Sequence, residues 1–108
     1  MRLFHRTRYD AALAILTKGF KDQEGYYTTQ GLHRGVWFAD RPLDINEGAE
    51  GGVVLAVEVP EERMMPFEWI EEGKPYREFL APAAVVNRFG LPTICDVRQE
   101  SKLGDLPP

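Results

Sequence analysis

Three short motifs carry the side chains in this sequence that are best suited to chemistry. His5 stands in His-Arg-Thr after a short apolar segment, Trp37 stands in Gly-Val-Trp-Phe-Ala, and Glu78 stands in Tyr-Arg-Glu-Phe-Leu. An imidazole can donate a hydrogen bond from one ring nitrogen while a neighbour fixes the other. The face of an indole can stack on a flat ring, and a carboxylate can stabilise positive charge or help to deprotonate a nucleophile.

Five or six short strands must position these side chains. Apolar and β-branched runs that end at glycine or proline predict strands over residues 2–6, 35–39, 53–59, 76–80 and 92–97, with an edge strand over 65–71. The segment 53–59 is the clearest of these and is expected inside the sheet. Because side chains alternate along a strand, Trp37 and Phe38 are expected on opposite faces.

One good helix is predicted over residues 9–18. Its apolar stripe has helical spacing and consists of Ala12, Leu13, Ile15 and Leu16. Thr7 or Asp10 is expected to cap its start, and Gly19 is expected to end it in a left-handed conformation. A further short helical turn is predicted over residues 83–87, and the segment 43–50 is at most a short helix.

A long loop is predicted over residues 21–34, which are polar and rich in glycine, glutamine and threonine. Long loops in small domains are usually functional or disordered, and Tyr26 and Tyr27 argue against disorder. The tyrosines could cover a bound ligand or simply pack the loop onto the surface.

One early helix followed mainly by strands is the order of an α+β fold rather than a doubly wound sheet. The sequence has no G-x-G-x-x-G after a strand, so it gives no support to a Rossmann dinucleotide site. Residues 1–100 are expected to form one domain, and residues 101–108 a flexible tail.

Composition narrows the functional classes. The 108 residues carry a formal net charge of −4, which argues against general nucleic-acid binding. One cysteine and two histidines without paired ligand spacing make a zinc site unexpected, so no metal is predicted. No apolar run reaches membrane-spanning length, and the default expectation is a cytoplasmic protein without membrane contact.

The order of the three motifs resembles the ADP-ribosyltransferase-like superfamily. Its members show a His on the first strand, then an aromatic strand, then a Glu on a late strand. The resemblance implies a split mixed or antiparallel sheet that binds NAD as a consumed substrate, cleaves the nicotinamide–ribose bond and transfers ADP-ribose. The acceptor is not readable, and a protein, a nucleic acid or a small molecule would each fit.

Glu78 matches the catalytic position of that superfamily. It opens the run Glu-Phe-Leu-Ala-Pro, which looks like the family's Glu-aromatic-aliphatic-x-Pro ending. Loss of nicotinamide passes through an oxocarbenium-like transition state, which a carboxylate near the ribose can stabilise. The alternative is an ordinary strand Glu that faces water.

The resemblance also assigns a set of NAD-binding residues. His5 would contact the adenosine ribose, Thr7 the nicotinamide side, and Trp37 the nicotinamide ring, whereas Arg6 could bind the pyrophosphate and Tyr27 could cover the donor. The alternatives are a His packed at a strand end and a core Trp.

Two departures from the family pattern stand in the sequence. Arg6 fills a place where the family commonly has Gly, and the segment 40–51 lacks a second aromatic residue. Tyr27, Trp69 or Tyr76 would have to complete the nicotinamide pocket.

Three rival readings therefore stay open. The chain could be a non-catalytic binding module on the same scaffold, or it could have RNA 2′-phosphotransferase-like activity. It could also be an unrelated α+β protein, in which case His5, Trp37 and Glu78 would not converge on one cleft.

Overall fold

The computed structural model describes residues 1–26, 32–43 and 51–95. In chain order the elements are β1 (Arg2–Thr7), α1 (Tyr9–Lys18), β2 (Gln23–Tyr26), β3 (Leu32–Ala39), β4 (Val53–Glu58), α2 (Glu61–Met64), a 3-10 turn (Met65–Phe67), β5 (Glu68–Trp69), β6 (Glu78–Ala81), α3 (Ala83–Asn87) and β7 (Thr93–Cys95). The predicted α+β class is confirmed.

An open antiparallel sheet of seven strands forms the centre of the protein. The strand order is β5-β6-β3-β1-β4-β7, and β2 pairs with β3 outside that row. β1 and β4 pair over their whole length, from Arg2 opposite Glu58 to Thr7 opposite Val53. β1 and β3, in contrast, share one register pair, Phe4 opposite Ala39. The two strands therefore have little ladder between them beyond that pair.

One face of the sheet is covered by helices. Alternate strand residues point to this face and are buried there, and they include Leu3, Val36, Phe38, Leu55, Val57, Phe79 and Ala81. The helices contribute Ala12 of α1 and Val86 of α3 to the same cluster, and Met64 closes one side. We call this the helix-covered face. Burial of these apolar side chains is the main stabilising contribution to such a small fold.

The opposite face has a smaller apolar cluster and is called the second face. Phe4, Val54, Ala56 and Cys95 form that cluster. β4 is therefore buried on both faces, which explains why its sequence is almost entirely apolar and confirms its expected place inside the sheet.

The segment 21–34 is not the predicted long loop. Gln23–Tyr26 and Leu32–Ala39 form an antiparallel hairpin that pairs Gln23 with Gly35 and Tyr26 with Leu32. β2 and the part of β3 that pairs with it, residues 32–35, are mostly polar, so hydrophobic alternation gives no sign of the hairpin, whereas the apolar part of β3 lies in the predicted strand 35–39. Cross-strand pairing of opposite charges contributes instead, because Glu24 lies opposite Arg34 and their side-chain atoms Oε1 and Nη1 are 3.6 Å apart.

Two further predictions need correction. The N-cap of α1 is Arg8, which makes no side-chain cap hydrogen bond, so neither Thr7 nor Asp10 caps the helix. The predicted strand 65–71 shrinks to Glu68–Trp69, because the residues before it form α2 and the 3-10 turn. This strand does lie at the edge of the sheet, as expected.

Gly19 ends α1 with a positive φ of 90°, and its N–H donates to Ile15 O over 2.8 Å.

Candidate functional site

The three motifs lie on three adjacent strands. His5 is on β1, Trp37 on β3 and Glu78 on β6, and β3 lies between the other two. Residues that are far apart in the chain are therefore neighbours across the middle of the sheet.

Trp37 and Glu78 share the second face. Ladder pairs join Trp37 with Leu80 and Ala39 with Glu78, and paired residues point to the same side of a sheet. The intervening Phe38 pairs with Phe79, and both are buried on the helix-covered face. The predicted separation of Trp37 from Phe38 is thus confirmed.

His5, however, faces the helices. It lies opposite Leu55 in the β1–β4 ladder, and its ring contacts Phe20 and Phe38 with centroid distances of 5.5 and 5.8 Å. Because these partners belong to the helix-covered face, the imidazole is on the other side of the sheet from the Trp37 indole and the Glu78 carboxylate.

The His5 ring is bonded to β3. Its Nδ1–H donates to the carbonyl oxygen of Trp37 over 2.7 Å. Burial lowers the pKa of His5, and this hydrogen bond opposes that shift less strongly. The neutral ring therefore keeps its proton on Nδ1. The side chain also links β1 to β3 beyond Phe4–Ala39, the single register pair of the two strands.

Arg6 points to the second face and is bound to neighbouring backbone. Its Nε donates to Leu43 O over 2.5 Å and its Nη1 to Gly51 O over 3.0 Å. A guanidinium engaged in this way holds two chain segments beside the end of β1. Thr7, on the helix-covered face, pairs with Val53, and a Cβ on Gly51 would lie 2.2 Å from the Thr7 carbonyl carbon.

Glu78 is partly buried and ion-paired. Its Oε1 accepts from Lys74 Nζ, and the two side chains are only 15% and 17% exposed. Lys74 Nζ also lies 3.2 Å from Glu71 Oε2. Sequence reasoning missed Lys74, although its place four residues before Glu78 in a Gly-Lys-Pro turn was visible.

Aromatic rings line the second face beside Trp37. Trp69 of β5 packs against Trp37 with a centroid distance of 5.3 Å and an interplanar angle of 74°, and against His33 with 4.9 Å and 86°. Trp69 was one of three residues named as able to complete an aromatic pocket. His33 was not singled out, yet its spacing of four from Trp37 along one strand predicts a shared face.

A pocket of about 200 Å³ opens next to these rings. Its walls are Gln23, Glu24, Gly25, His33, Gly35, Trp37 and Leu80. The pocket thus lies between the β2–β3 hairpin and β6, and its wall residues Trp37 and Leu80 are two ladder pairs away from Glu78.

Three further predictions concern residues outside the described ranges, metal binding and membrane contact. Tyr27, the segment 44–50 and the tail 101–108 lie outside the described residues. Among the described residues, no three His, Cys, Asp or Glu side chains form a group able to hold a metal ion. None of the helices in the described ranges is long and apolar enough to cross a membrane.

Comparison of the chain with protein-family models, with curated proteins and with solved structures gave no match. The resemblance to the ADP-ribosyltransferase-like superfamily therefore rests on the three motifs alone. The structure brings Trp37 and Glu78 to one face but places His5 on the other, so the three side chains do not converge on one cleft, which is the outcome expected for an unrelated α+β protein.

Proposed function

We propose that this protein is an ADP-ribosyltransferase-like domain that binds NAD, breaks its nicotinamide–ribose bond and transfers ADP-ribose to an acceptor. The observation that carries this proposal is that Trp37 and Glu78 share the second face on adjacent strands, with the Trp69 ring 5.3 Å from Trp37. A flat ring site next to a partly buried carboxylate is what the reaction needs.

The chemistry follows from charge. As the bond between the ribose C1 and the nicotinamide nitrogen breaks, the nitrogen takes the bonding electrons and positive charge develops on the ribose ring. The Glu78 carboxylate would stabilise that charge and accept the proton of the incoming nucleophile. The indoles of Trp37 and Trp69 would hold the nicotinamide ring, with stacking worth about 0.5–1.5 kcal/mol beyond burial.

The Lys74 ammonium has to move away from Glu78 before the Glu78 carboxylate can contact the ribose. The ammonium is bonded to Glu78 Oε1, so it occupies an oxygen that would otherwise be open to the ribose. Glu71 offers Lys74 a second partner at 3.2 Å. A shift of Lys74 towards Glu71 would expose Glu78 without leaving the ammonium unpaired.

His5 takes a different role in this proposal from the one its motif implied. Its ring is on the helix-covered face, so we assign it as a positioning residue that holds the Trp37 backbone through the 2.7 Å bond. Arg6 likewise supports the loop carbonyls of Leu43 and Gly51 rather than the pyrophosphate.

A second candidate function is a non-catalytic binding module on the same scaffold. The specific observation in its favour is that Lys74 neutralises Glu78 while the Arg6 guanidinium is already occupied. This candidate predicts that NAD, if it binds, is not consumed.

Two measurements on the purified chain separate the candidates. Isothermal titration with NAD reports binding, and release of nicotinamide reports turnover. Glu78→Gln is expected to keep NAD binding and to lose on the order of 100-fold or more in turnover, as for removal of one electrostatic stabiliser. Glu72→Gln makes the same chemical change at an exposed position, so it is the matched control and should change neither.

Full NAD turnover in Glu78→Gln would refute the catalytic role. NAD binding without turnover in the unmodified chain would favour the binding module. No heat and no thermal shift at millimolar NAD would remove NAD from both candidates, because a transferase has to hold its donor.

A further inference from the structure

The diphosphate of NAD requires cationic partners, and neither Arg6 nor Arg77 is placed to supply them. The Arg6 guanidinium donates to two backbone carbonyl oxygens. Arg77 donates to the carboxylates of Glu61 and Glu68, and it lies over a ring that is buried on the helix-covered face. The carboxylate of Glu78 is on the second face, so the phosphates of a donor beside it need different side chains.

A second pair of cations lies against the ring of Tyr76. Arg41 Cζ is 4.9 Å from the ring centroid, and Lys74 Nζ is 5.5 Å from it. The face of an aromatic ring attracts a cation at such a distance, so one ring helps to hold both side chains. The two charges are no further apart than the sum of these distances, and one diphosphate can therefore contact both. Both residues are partly exposed, which puts them within reach of a ligand.

This cation pair lies directly beside Glu78. Lys74 Nζ donates to Glu78 Oε1 and also lies near the Tyr76 ring. Arg41 comes two residues after Ala39, which is the ladder partner of Glu78. The backbone N–H of the residue before Arg41 donates over 3.1 Å to the carbonyl oxygen of the residue after Tyr76. This bond continues the pairing of β3 with β6 and fixes Arg41 next to Tyr76.

Indole, carboxylate and cations follow one another along β3 and β6. The Trp37–Leu80 pair comes first, the Ala39–Glu78 pair is two residues further along, and Arg41 is two residues beyond that. A strand rises about 3.3 Å per residue, so successive groups are about 6–7 Å apart. Nicotinamide, ribose and diphosphate follow in the same order in NAD. The cationic nicotinamide end would lie near the carboxylate and the anionic diphosphate near the cations, so the charges are complementary.

On the basis of the transferase function proposed above, we propose that Arg41 and Lys74 bind the diphosphate of NAD and that this contact draws Lys74 away from Glu78. A phosphate oxygen replaces Glu78 Oε1 as a partner of the ammonium, while Glu71 Oε2 stays close at 3.2 Å. The bound donor thus uncovers the carboxylate that acts on its ribose.

Three ligands separate contact with the phosphates from contact with the rest of the donor. NAD and ADP-ribose carry the diphosphate, whereas nicotinamide riboside does not. In isothermal titration, Arg41→Gln should weaken NAD and ADP-ribose by about tenfold or more, as for loss of a hydrogen bond to a charged group, and leave nicotinamide riboside unchanged. Arg41→Lys keeps the charge and should recover part of the loss. Arg88→Gln, at an exposed arginine that ends α3, is the matched control and should change none of the three.

Lys74→Met tests the release of Glu78 through kinetics. This variant loses a phosphate contact, but it also leaves Glu78 without the Lys74 ammonium before the donor binds. KM for NAD in nicotinamide release should therefore rise by about tenfold or more while kcat does not fall, because only binding of the donor is weakened. A general loss of structure would lower kcat as well.

Four results would overturn the proposal. The first is no heat with ADP-ribose up to concentrations on the order of 10 mM, beyond the weakest specific affinities. The second is unchanged ADP-ribose binding in both Arg41→Gln and Lys74→Met. The third is an Arg41→Gln variant that weakens nicotinamide riboside as much as NAD, since a displaced site would affect both ligands. The fourth is a fall in kcat in Lys74→Met. Should Arg41→Gln fail to fold, which circular dichroism would report, Lys74→Met decides the outcome.

Failure of the phosphate site is distinct from failure of the transferase proposal. Nicotinamide release with an unchanged KM in Arg41→Gln would keep the transferase and remove the phosphate site. ADP-ribose binding that depends on Arg41, in a chain that releases no nicotinamide, would keep the phosphate site and remove the transferase.

Discussion

Asn87 is expected to be the most important polar side chain for stability in the described part of the protein. Its Oδ1 accepts from Phe20 N over 2.8 Å and its Nδ2 donates to Phe20 O over 2.9 Å, so one amide satisfies both backbone groups of a residue 67 positions away. Each such bond contributes about 0.5–1.5 kcal/mol net, and more where a buried partner is left unpaired. Asn87→Ala should therefore lower the free energy of unfolding by about 2 kcal/mol, although alanine is the better helix former.

Thermal unfolding followed by circular dichroism measures this loss. For a domain of this size, about 2 kcal/mol corresponds to a Tm decrease on the order of 8–16 °C. Arg88→Ala is the control, because Arg88 is the exposed neighbour and should change the free energy by less than about 0.5 kcal/mol. If Asn87→Ala were as stable as Arg88→Ala, the paired bonds to Phe20 would not contribute to holding α3 against the segment that follows α1.

Three further predictions concern stability. Burial lowers the pKa of His5, so the unfolded chain takes up a proton at higher pH than the folded chain; urea unfolding should show stability lost as pH falls below about 6.5, and His5→Gln should flatten that slope. Gly51→Ala should cost about 2 kcal/mol or more in the same assay, because φ is 106° and the Cβ would meet backbone at 2.2 Å, whereas Gly52→Ala should be close to neutral. Arg77→Lys should cost about 0.5–1 kcal/mol in thermal unfolding at low salt and less at 1 M NaCl, because lysine cannot reproduce the bidentate pairing with Glu68 at 2.9 and 3.1 Å.

Much of the fold could be predicted because local patterns specify it. The helix Tyr9–Lys18 and the turn Ala83–Asn87 have the predicted bounds, since apolar spacing and a following Gly or a preceding Pro mark them. The hairpin of β2 and β3 could not be predicted in the same way. The paired residues of these strands are mostly polar, and the ladder from Gln23–Gly35 to Tyr26–Leu32 is formed by backbone groups that every sequence carries.

The sequence predicts which motifs lie on strands and in what order, but not which face of the sheet each side chain occupies. Alternation within β3 separates Trp37 from Phe38, and this much can be read from one strand. Whether His5 shares a face with Trp37 depends on the register between β1 and β3, and a shift of one residue reverses the answer. That register is Phe4 opposite Ala39. The motifs themselves do not specify it.

The position of His5 also changes how its variants must be interpreted. Loss of NAD binding in His5→Ala would ordinarily be taken to mean that NAD contacts the imidazole. Here the ring and the Trp37 indole are on opposite faces, and the 2.7 Å bond joins the His5 side chain to the backbone that carries that indole. Because β1 and β3 share one register pair, this bond is the nearest described link that fixes Trp37 relative to β1. Removing the imidazole would therefore move the indole without removing any contact to the ligand. A substitution that keeps a donor near the carbonyl, such as His5→Asn, separates the two explanations, since it preserves positioning but not an imidazole contact.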